Sequence, residues 1–317
     1  MSLPVSGVLA ALVTPIDDSG GVDFSTFNRV IDFVVDRGVD GVVIGGGTAE
    51  YPDFEIDDRV RLAARAVNRM RGQGSVITCV GTSSIHTTLR LAQRAAEAGS
   101  DALLIPMPHF FRYEQQDLAA FCEQVCRSVS TPCFLYNLPS FTNGLSVETA
   151  LQLLESVPNL AGMKDSSGDE GNLEPLARGR QKRAFSLFVG DDSLLLGALR
   201  AGWDGVVSGI ACFVPELIAA IYRSYRAGNL EQSTAYQATL DDLIEQVVRL
   251  PIPWGVRVGL AARGVPNGPM HVPPSQERRR QMEELGVWLG RWAQERNLAL
   301  SQAWTKIPIP VGESARR

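Results

Sequence analysis

Residues 159–168 read NLAGMKDSSG, and this stretch contains the structural unit that recurs along the chain. A short apolar run ends in Lys164 and then breaks at once into polar and turn-forming residues. Short continuous apolar runs of this kind are typical of β-strands that are buried on both faces. The stretch therefore predicts a buried strand that ends at Lys164, where the chain leaves the core.

Lys164 is a candidate nucleophile because of its position in this pattern. At the end of a buried strand its amine is partly removed from water, which disfavours the charged form and leaves the neutral nucleophile available. A lysine whose head simply reaches out to solvent is the commoner situation at a strand end. A second apolar run, Pro132–Asn137, favours the catalytic interpretation because it carries Tyr136 at its end, a phenol that can exchange protons.

Apolar strands alternate with amphipathic helices along the chain. This alternation predicts an α/β protein with a (β/α)8 TIM barrel, whereas a doubly wound open sheet would rarely hold eight such regular units without a boundary. After Gly228 the alternation stops, so we assign residues 1–228 to the barrel with its active site and residues 229–317 to an all-helical C-terminal extension. The predicted strands are Gly7–Leu12, Gly41–Ile44, Ser75–Val80, Ala102–Ile105, the runs that end at Tyr136 and Lys164, Leu187–Gly190 and Gly205–Ser208.

Composition narrows the class of protein. Of the 317 residues, 45% are hydrophobic and 21% are charged, as in ordinary globular enzymes. A formal net charge of −5 and a pI near 5.4 argue against nucleic acid or an anionic membrane as a partner. No segment approaches the ~20 apolar residues of a membrane span, and the five cysteines, an odd number, argue against a disulfide framework. We therefore expect a cytoplasmic enzyme.

The predicted strand ends indicate what chemistry the site can perform, because barrels of this type carry their active sites at the C-terminal ends of the strands. The neutral amine of Lys164 would attack the ketone of a 2-oxo acid and form a Schiff base, while Tyr136 moves the protons. The glycine-rich turn Gly45–Glu50 would bind the carboxylate through the amides of Gly47, Thr48 and Ala49 and the Thr48 hydroxyl.

Six segments of the chain resemble one known family, the dihydrodipicolinate synthase / N-acetylneuraminate lyase family of Schiff-base barrel enzymes. The resemblance implies a lyase of the class I aldolase type that needs no metal or cofactor, acts on pyruvate or a related 2-oxo acid and forms a homotetramer built from tight dimers. It also implies that Lys164 forms the Schiff base, that Tyr136 is the catalytic tyrosine, and that the turn with Gly47 and Thr48 and the backbone of Val207 bind substrate. The segments are Ala11–Pro15, Gly45–Glu50, Tyr136–Pro139, Gly162–Asp165, Gly190–Asp192 and Gly205–Ser208.

Three residues depart from the family pattern. Gly47 removes a hydroxyl that belongs to the family's proton relay, and Phe110 stands in place of a tyrosine that reaches across the tight dimer. Phe141 stands where dihydrodipicolinate synthases carry an arginine for the aldehyde substrate's carboxylate, which an apolar ring cannot replace. The chain is therefore predicted not to be an efficient dihydrodipicolinate synthase.

Two alternatives share the fold and remain open. The loss of two relay hydroxyls fits a 2-keto-3-deoxy sugar-acid dehydratase that uses the same lysine. It also fits a barrel that binds a keto acid or serves as a scaffold without catalysis. A metal-dependent aldolase would need a ligand cluster that the sequence does not display.

Other notable residues have plainer interpretations. Gly45–Gly47 lacks the ending of a P-loop, so nucleotide binding is not expected. Cys122 and Cys126, four apart on a helix, are predicted to pack in the core rather than to bind metal. Asp191–Asp192 is predicted to cap a helix. His109 could replace a missing proton donor, although a loop histidine without function is the simpler view.

Overall fold

Eight parallel strands close into a barrel in the computed structural model, which describes residues 5–295. Each strand pairs with its neighbour in sequence, and the last strand pairs with the first, so no sheet edge is left open. The prediction of a (β/α)8 barrel is confirmed. The strands are Gly7–Ala11 (β1), Gly41–Ile44 (β2), Ser75–Cys79 (β3), Ala102–Pro106 (β4), Cys133–Asn137 (β5), Leu160–Asp165 (β6), Ser186–Val189 (β7) and Gly205–Ser208 (β8).

A helix follows every strand and packs on the outside of the barrel. The second-shortest of these helices, Leu173–Gly179, was not predicted from the sequence. Its seven residues offer too few apolar positions to show a helical period, and they include Pro175. The helices are Phe24–Val35 (α1), Ile56–Met70 (α2), Ile85–Glu97 (α3), Gln115–Arg127 (α4), Val147–Ser156 (α5), Leu173–Gly179 (α6), Leu195–Arg200 (α7) and Pro215–Arg226 (α8).

Three helices continue the chain after the barrel, as predicted: Leu230–Val247 (α9), Trp254–Ala262 (α10) and Gln276–Glu295 (α11). Helix α10 lies close against the barrel, since a Cβ at Gly259 would be 2.5 Å from the ring of Phe213. The division at residue 228 stays a prediction, and the tail from Trp304 lies outside the described residues. Within residues 5–295 no helix is both long and apolar enough to cross a membrane.

The barrel strands supply two separate apolar layers, because successive side chains point to opposite faces of a strand. In β1, for example, Val8 and Ala10 face the outer layer with the helices, whereas Leu9 and Ala11 face the barrel interior. The interior layer also contains Tyr136 and Val207, two of the predicted site residues. The inward alternation of the strands therefore brings candidate site residues into one apolar interior.

One hydrogen-bond pattern recurs at the N-terminal ends of the strands. Asp40, Asp101 and Asp204 each stand directly before a strand (β2, β4 and β8). Each carboxylate accepts a 2.8 Å hydrogen bond from a backbone amide of the preceding strand. These bonds satisfy amides at the end of the barrel opposite the site and help to hold the register there.

We expect Gly162→Ala to destabilise the barrel, because a Cβ there would lie 2.3 Å from the carbonyl oxygen of Ser186 and 2.5 Å from the ring of Phe134. The free energy of unfolding from urea titration should fall by about 1–3 kcal/mol. The control is Gly286→Ala on α11, where a Cβ meets nothing within 4 Å. That variant should be neutral or stabilised by about 1 kcal/mol. Equal stability of the two variants would contradict the packing argument.

Candidate active site

The amine of Lys164 and the phenol of Tyr136 lie in direct contact. Lys164 Nζ donates a hydrogen bond to Tyr136 Oη at 3.1 Å and lies 4.2 Å from the centre of its ring. The two residues are opposite each other in the parallel register of β5 and β6, and only 5% and 3% of their surfaces are exposed. An amine held in this way is removed from bulk water and has a proton carrier beside it, as Schiff-base chemistry requires.

The residues that follow this pair hold the two strand ends together. Asn137 donates its side-chain amide to Asp165 at 3.0 Å, directly after the Tyr136–Lys164 level of the sheet. The same carboxylate accepts from the backbone of Ser167 at 2.9 Å and from the side chain of Asn172 at 3.0 Å. Because Asp165 is buried and fully engaged in hydrogen bonds, the loop after β6 leaves the barrel at a defined angle.

Space for the Lys164 side chain depends on a glycine in the neighbouring strand connection. A Cβ at Gly190 would lie 2.5 Å from Lys164 Cε and 1.9 Å from the hydroxyl of Ser166. Such distances are below any van der Waals contact, so a side chain at this position would displace the amine. The Gly190–Asp192 segment therefore contributes to the site because Gly190 has no side chain.

The glycine-rich turn after β2 approaches the phenol from the other side. A Cβ at Gly47 would lie 3.7 Å from Tyr136 Oη, and Thr48 Oγ1 lies 3.3 Å from the Cβ position of Gly209 after β8. The amides of Gly47 and Thr48 make no hydrogen bond within the described part of the chain. The amide of Ala49 donates to Gly46 at 3.1 Å, so the expectation that it is free for a carboxylate is wrong.

Val207 is the remaining predicted site residue. It lies in β8, it is 2% exposed, and its side chain belongs to the same interior layer as Tyr136. Its strand pairs with β1 and β7. Lys164, Tyr136, the turn and β8 therefore converge on one region of the barrel.

Among the described residues, the loop side chains at the mouth make no hydrogen bond or ring contact with Lys164 or Tyr136. Phe110 and Phe141 are exposed, and Phe110 has a positive φ of 79°, which is uncommon for a residue with a side chain. His109 lies 3.4 Å from the hydroxyl of Tyr51, and partial burial lowers the pKa of its imidazole. The loss of a relay hydroxyl at Phe110, the replacement of that donor by His109 and the loss of an arginine at Phe141 stay predictions.

Two polar residues near Lys164 received no site role from the sequence. Ser166 Oγ and Asp192 Oδ1 are both buried and have no hydrogen-bond partner within the described chain. The prediction of a capping pair holds for Asp191, whose carboxylate accepts from Ser193, but Asp192 does not cap. The sequence did contain one indication for Ser166. It lies two residues after Lys164, and residues two apart along a strand point to the same face.

The carboxyl of Asp192 is held in an unfavourable environment for charge. Burial raises its pKa to about 6, while the nearby Ser208 hydroxyl and Ile210 amide act in the opposite direction. The charge of Asp191 acts in the same direction as burial, whereas the charge of Lys164 opposes it. A carboxyl whose pKa is raised by burial, with a lysine amine nearby, is a feature that recurs at functional sites.

The cysteines pack in the core, as predicted. All five are buried and free, and Cys122 Sγ contacts Met107 Sδ at 3.6 Å. A different group could hold a metal ion: Glu50, Asp53 and His271 are the one set of three such side chains within residues 5–295 whose ligand atoms lie within 4.8 Å of one another. The sequence analysis did not identify this set, because His271 is more than 200 residues from the two carboxylates.

Comparison with known proteins agrees with this geometry. Residues 4–287 match the model of the dihydrodipicolinate synthetase family. The chain is 32% identical to 4-hydroxy-tetrahydrodipicolinate synthase of Nitrosospira multiformis, over 90% of this chain and 97% of the relative. It is 33% identical to an uncharacterized DapA-like lyase of Halobacterium salinarum, over 86% and 88%. The crystal structure of dihydrodipicolinate synthase from Aquifex aeolicus superimposes with a TM-score of 0.85 at 25% identity, over 94% of this chain and 100% of that one.

The chain thus belongs to the dihydrodipicolinate synthetase family, as its resemblance at six segments predicted. Members of this family are lyases of the class I aldolase type, and this chain is an enzyme of that class.

We expect Asp192→Asn to be more stable than the wild type above pH 6. A carboxyl with a raised pKa binds its proton more tightly in the folded state, so its stabilising contribution is complete below 3.8 and is lost as the pH rises through about 6. Urea titrations should give the variant an advantage of about 1–3 kcal/mol at pH 7 that shrinks towards pH 4. A difference that does not change with pH would rule out this explanation.

Proposed function

We propose that the protein is a Schiff-base lyase that acts on pyruvate or a related 2-oxo acid through Lys164. The supporting observation is the 3.1 Å contact between the Lys164 amine and the Tyr136 hydroxyl in the barrel. The neutral amine adds to the ketone carbon, Tyr136 delivers a proton to the departing oxygen, and water leaves as the imine forms. Loss of a proton or a carbon–carbon bond next to the imine then gives an enamine.

The carboxylate of the 2-oxo acid would bind at the turn after β2. The unpaired amides of Gly47 and Thr48 and the Thr48 hydroxyl offer donors without a competing negative charge. Val207 would form the apolar floor beneath the keto group. Held at its carboxylate, the ketone carbon would reach the amine of Lys164 in a fixed orientation.

We expect borohydride in the presence of pyruvate to add one reduced pyruvate to Lys164, because hydride converts the imine into a stable amine. Intact-mass and peptide mass spectrometry measure the adduct. Lys164→Ala should abolish it, and Lys182→Ala, which removes an exposed lysine paired with Glu155, should leave it intact. Tyr136→Phe should slow its formation by about 10²-fold or more. An adduct that persists in Lys164→Ala would overturn the assignment.

The other half of the substrate is proposed to carry hydroxyl groups. Buried polar atoms without partners are costly, and Ser166 Oγ and Asp192 Oδ1 are two such atoms near the amine. Substrate hydroxyls could pair with both. Phe141 offers no guanidinium for a second carboxylate. A 2-keto-3-deoxy sugar acid therefore fits better than aspartate semialdehyde, and we infer that the chain is not an efficient dihydrodipicolinate synthase.

Cleavage and dehydration would begin from the same imine. In cleavage Tyr136 takes the proton of the substrate's 4-hydroxyl, the C3–C4 bond breaks and an aldehyde leaves; pyruvate stays on Lys164 as the enamine until protonation and hydrolysis release it. In dehydration C3 loses a proton, the 4-hydroxyl takes up a proton and leaves as water, and the carbon chain remains intact. We propose cleavage as the main reaction because the Tyr136 hydroxyl is directly hydrogen-bonded to the amine of Lys164 and can therefore take the substrate's proton beside the imine. The absence of a side-chain hydroxyl at Gly47, beside the phenol, is the observation that keeps dehydration as the second candidate.

We expect a panel of 2-keto-3-deoxy sugar acids to include a substrate that is cleaved, with pyruvate release measured by lactate dehydrogenase. Ser166→Ala and Asp192→Ala should each lower kcat/KM for it by about 10-fold or more, because each leaves a substrate hydroxyl unpaired. Trapping with pyruvate alone should be retained in both variants. Products that keep the full carbon chain of the substrate would favour dehydration. Trapping of pyruvate without turnover of any substrate would favour the non-catalytic alternative. Ordinary turnover of aspartate semialdehyde would refute the proposed substrate class.

We also infer a homo-oligomer, a dimer or tetramer, in the cytoplasm. The exposed aromatic rings of Phe110, Phe111 and Phe141 support an apolar contact surface at the mouth of the barrel. The rings of Phe110 and Phe111 pack edge to face, 5.0 Å apart. A second copy of the chain would cover these rings and bring its own loop towards the site.

A further inference from the structure

We propose that Glu50, Asp53 and His271 bind a divalent transition-metal ion of the zinc type at the rim of the barrel. One ligand atom from each side chain lies within 4.8 Å of the other two. Glu50 and Asp53 belong to the connection between β2 and α2, and His271 belongs to the connection between α10 and α11. An ion bound by all three would join the barrel to the C-terminal helices.

His271 contains a polar atom that supports the presence of an ion. Its Nε2 atom is buried and has no hydrogen-bond partner within the described residues. The edge of the ring packs against Phe54, with ring centres 5.0 Å apart, so its orientation is restricted. A buried nitrogen without a partner is unusual in proteins, and an ion held at this cluster is one way to satisfy an imidazole.

Glu50 is held in place for such a role. Its Oε2 accepts a 2.8 Å hydrogen bond from the buried guanidinium of Arg257. A carboxylate has two oxygens and several lone pairs, so this bond leaves acceptor capacity for an ion. Arg257 also donates to Asn267 and to the backbone oxygen of Pro269, which fixes the guanidinium. Hydrogen bonds of this kind orient the carboxylate ligands of metal sites.

The set of donors selects the class of ion. Imidazole nitrogen and carboxylate oxygen are both ligands that zinc accepts, and a water molecule would complete four-coordination. Tetrahedral zinc with ligand bonds of about 2.1 Å needs its ligand atoms about 3.3 Å apart. The present spacing of up to 4.8 Å is wider than this, so a bound ion would draw the exposed Asp53 and the loop residue His271 towards Glu50. Calcium and magnesium prefer all-oxygen sites and are disfavoured here.

Such an ion would act on the substrate-binding turn without touching the substrate. The amide of Glu50 donates to Gly47 at 3.1 Å, and Glu50 has a left-handed backbone with φ of 53°. The carboxylate of Glu50 and the hydroxyl of Thr48 are therefore parts of one short turn. The inferred ion is structural, and formation of the imine at Lys164 does not require it.

The test is zinc binding by the full-length protein after removal of metals with a chelator. We expect about one zinc ion per chain by equilibrium dialysis and elemental analysis, with a rise in the melting temperature. His271→Gln and Asp53→Asn should each weaken binding by about 10–100-fold or more, since even partners of metal ligands contribute that much. Asp53 is exposed, so its variant should fold even if the His271 variant does not.

Two matched variants control for adventitious binding. His86→Gln and Asp36→Asn remove an exposed histidine on α3 and an exposed carboxylate after α1, and both should bind zinc as the wild type does. No stoichiometric binding by the wild type, or equal binding by Asp53→Asn, would overturn the proposal. Borohydride trapping of the metal-free protein with pyruvate tests the lyase proposal separately, and it should proceed at an unchanged rate.

Discussion

The contact between the Lys164 amine and the Tyr136 phenol is the interaction on which the candidate site depends. It exists because two parallel strands place these residues at the same level of the sheet, with their side chains directed to the barrel interior. A lysine in that position loses water on several sides, and the phenol provides the hydrogen bond that compensates. The chemistry available to the protein follows from this one arrangement of an amine and an acid.

That arrangement is possible because two glycines let the backbone approach neighbouring side chains closely. Gly162 allows the ring of Phe134 to fill the barrel below the amine, and Gly190 leaves room for the lysine's own methylenes. The buried pair Asn137 and Asp165 then ties the two strand ends together above it. Packing, glycine positions and hydrogen bonds therefore all restrict the lysine to one orientation, which is the preorganisation that a nucleophile needs.

Around this restricted centre the structure contains polar groups that are not satisfied. Ser166 and Asp192 lie near the amine, and His271 lies at the rim beside Glu50. Folding alone does not explain these groups, since a buried carboxyl with a raised pKa costs stability at neutral pH. Proteins keep such costs where binding requires them, and this reasoning supports both the hydroxylated substrate and the metal ion that we propose.

The sequence by itself determined the barrel, the order of its elements and the candidate pair Lys164 and Tyr136, because strand and helix periods and the residues at strand ends are local properties. It did not reveal that Ala49 uses its amide within the turn, that Asp192 turns an oxygen into the interior rather than capping a helix, or that His271 lies beside Glu50. Those facts depend on which distant segments meet when the barrel closes and the C-terminal helices pack. Burial, hydrogen-bond pairing and ligand geometry are properties of such contacts, so only the tertiary structure decides them.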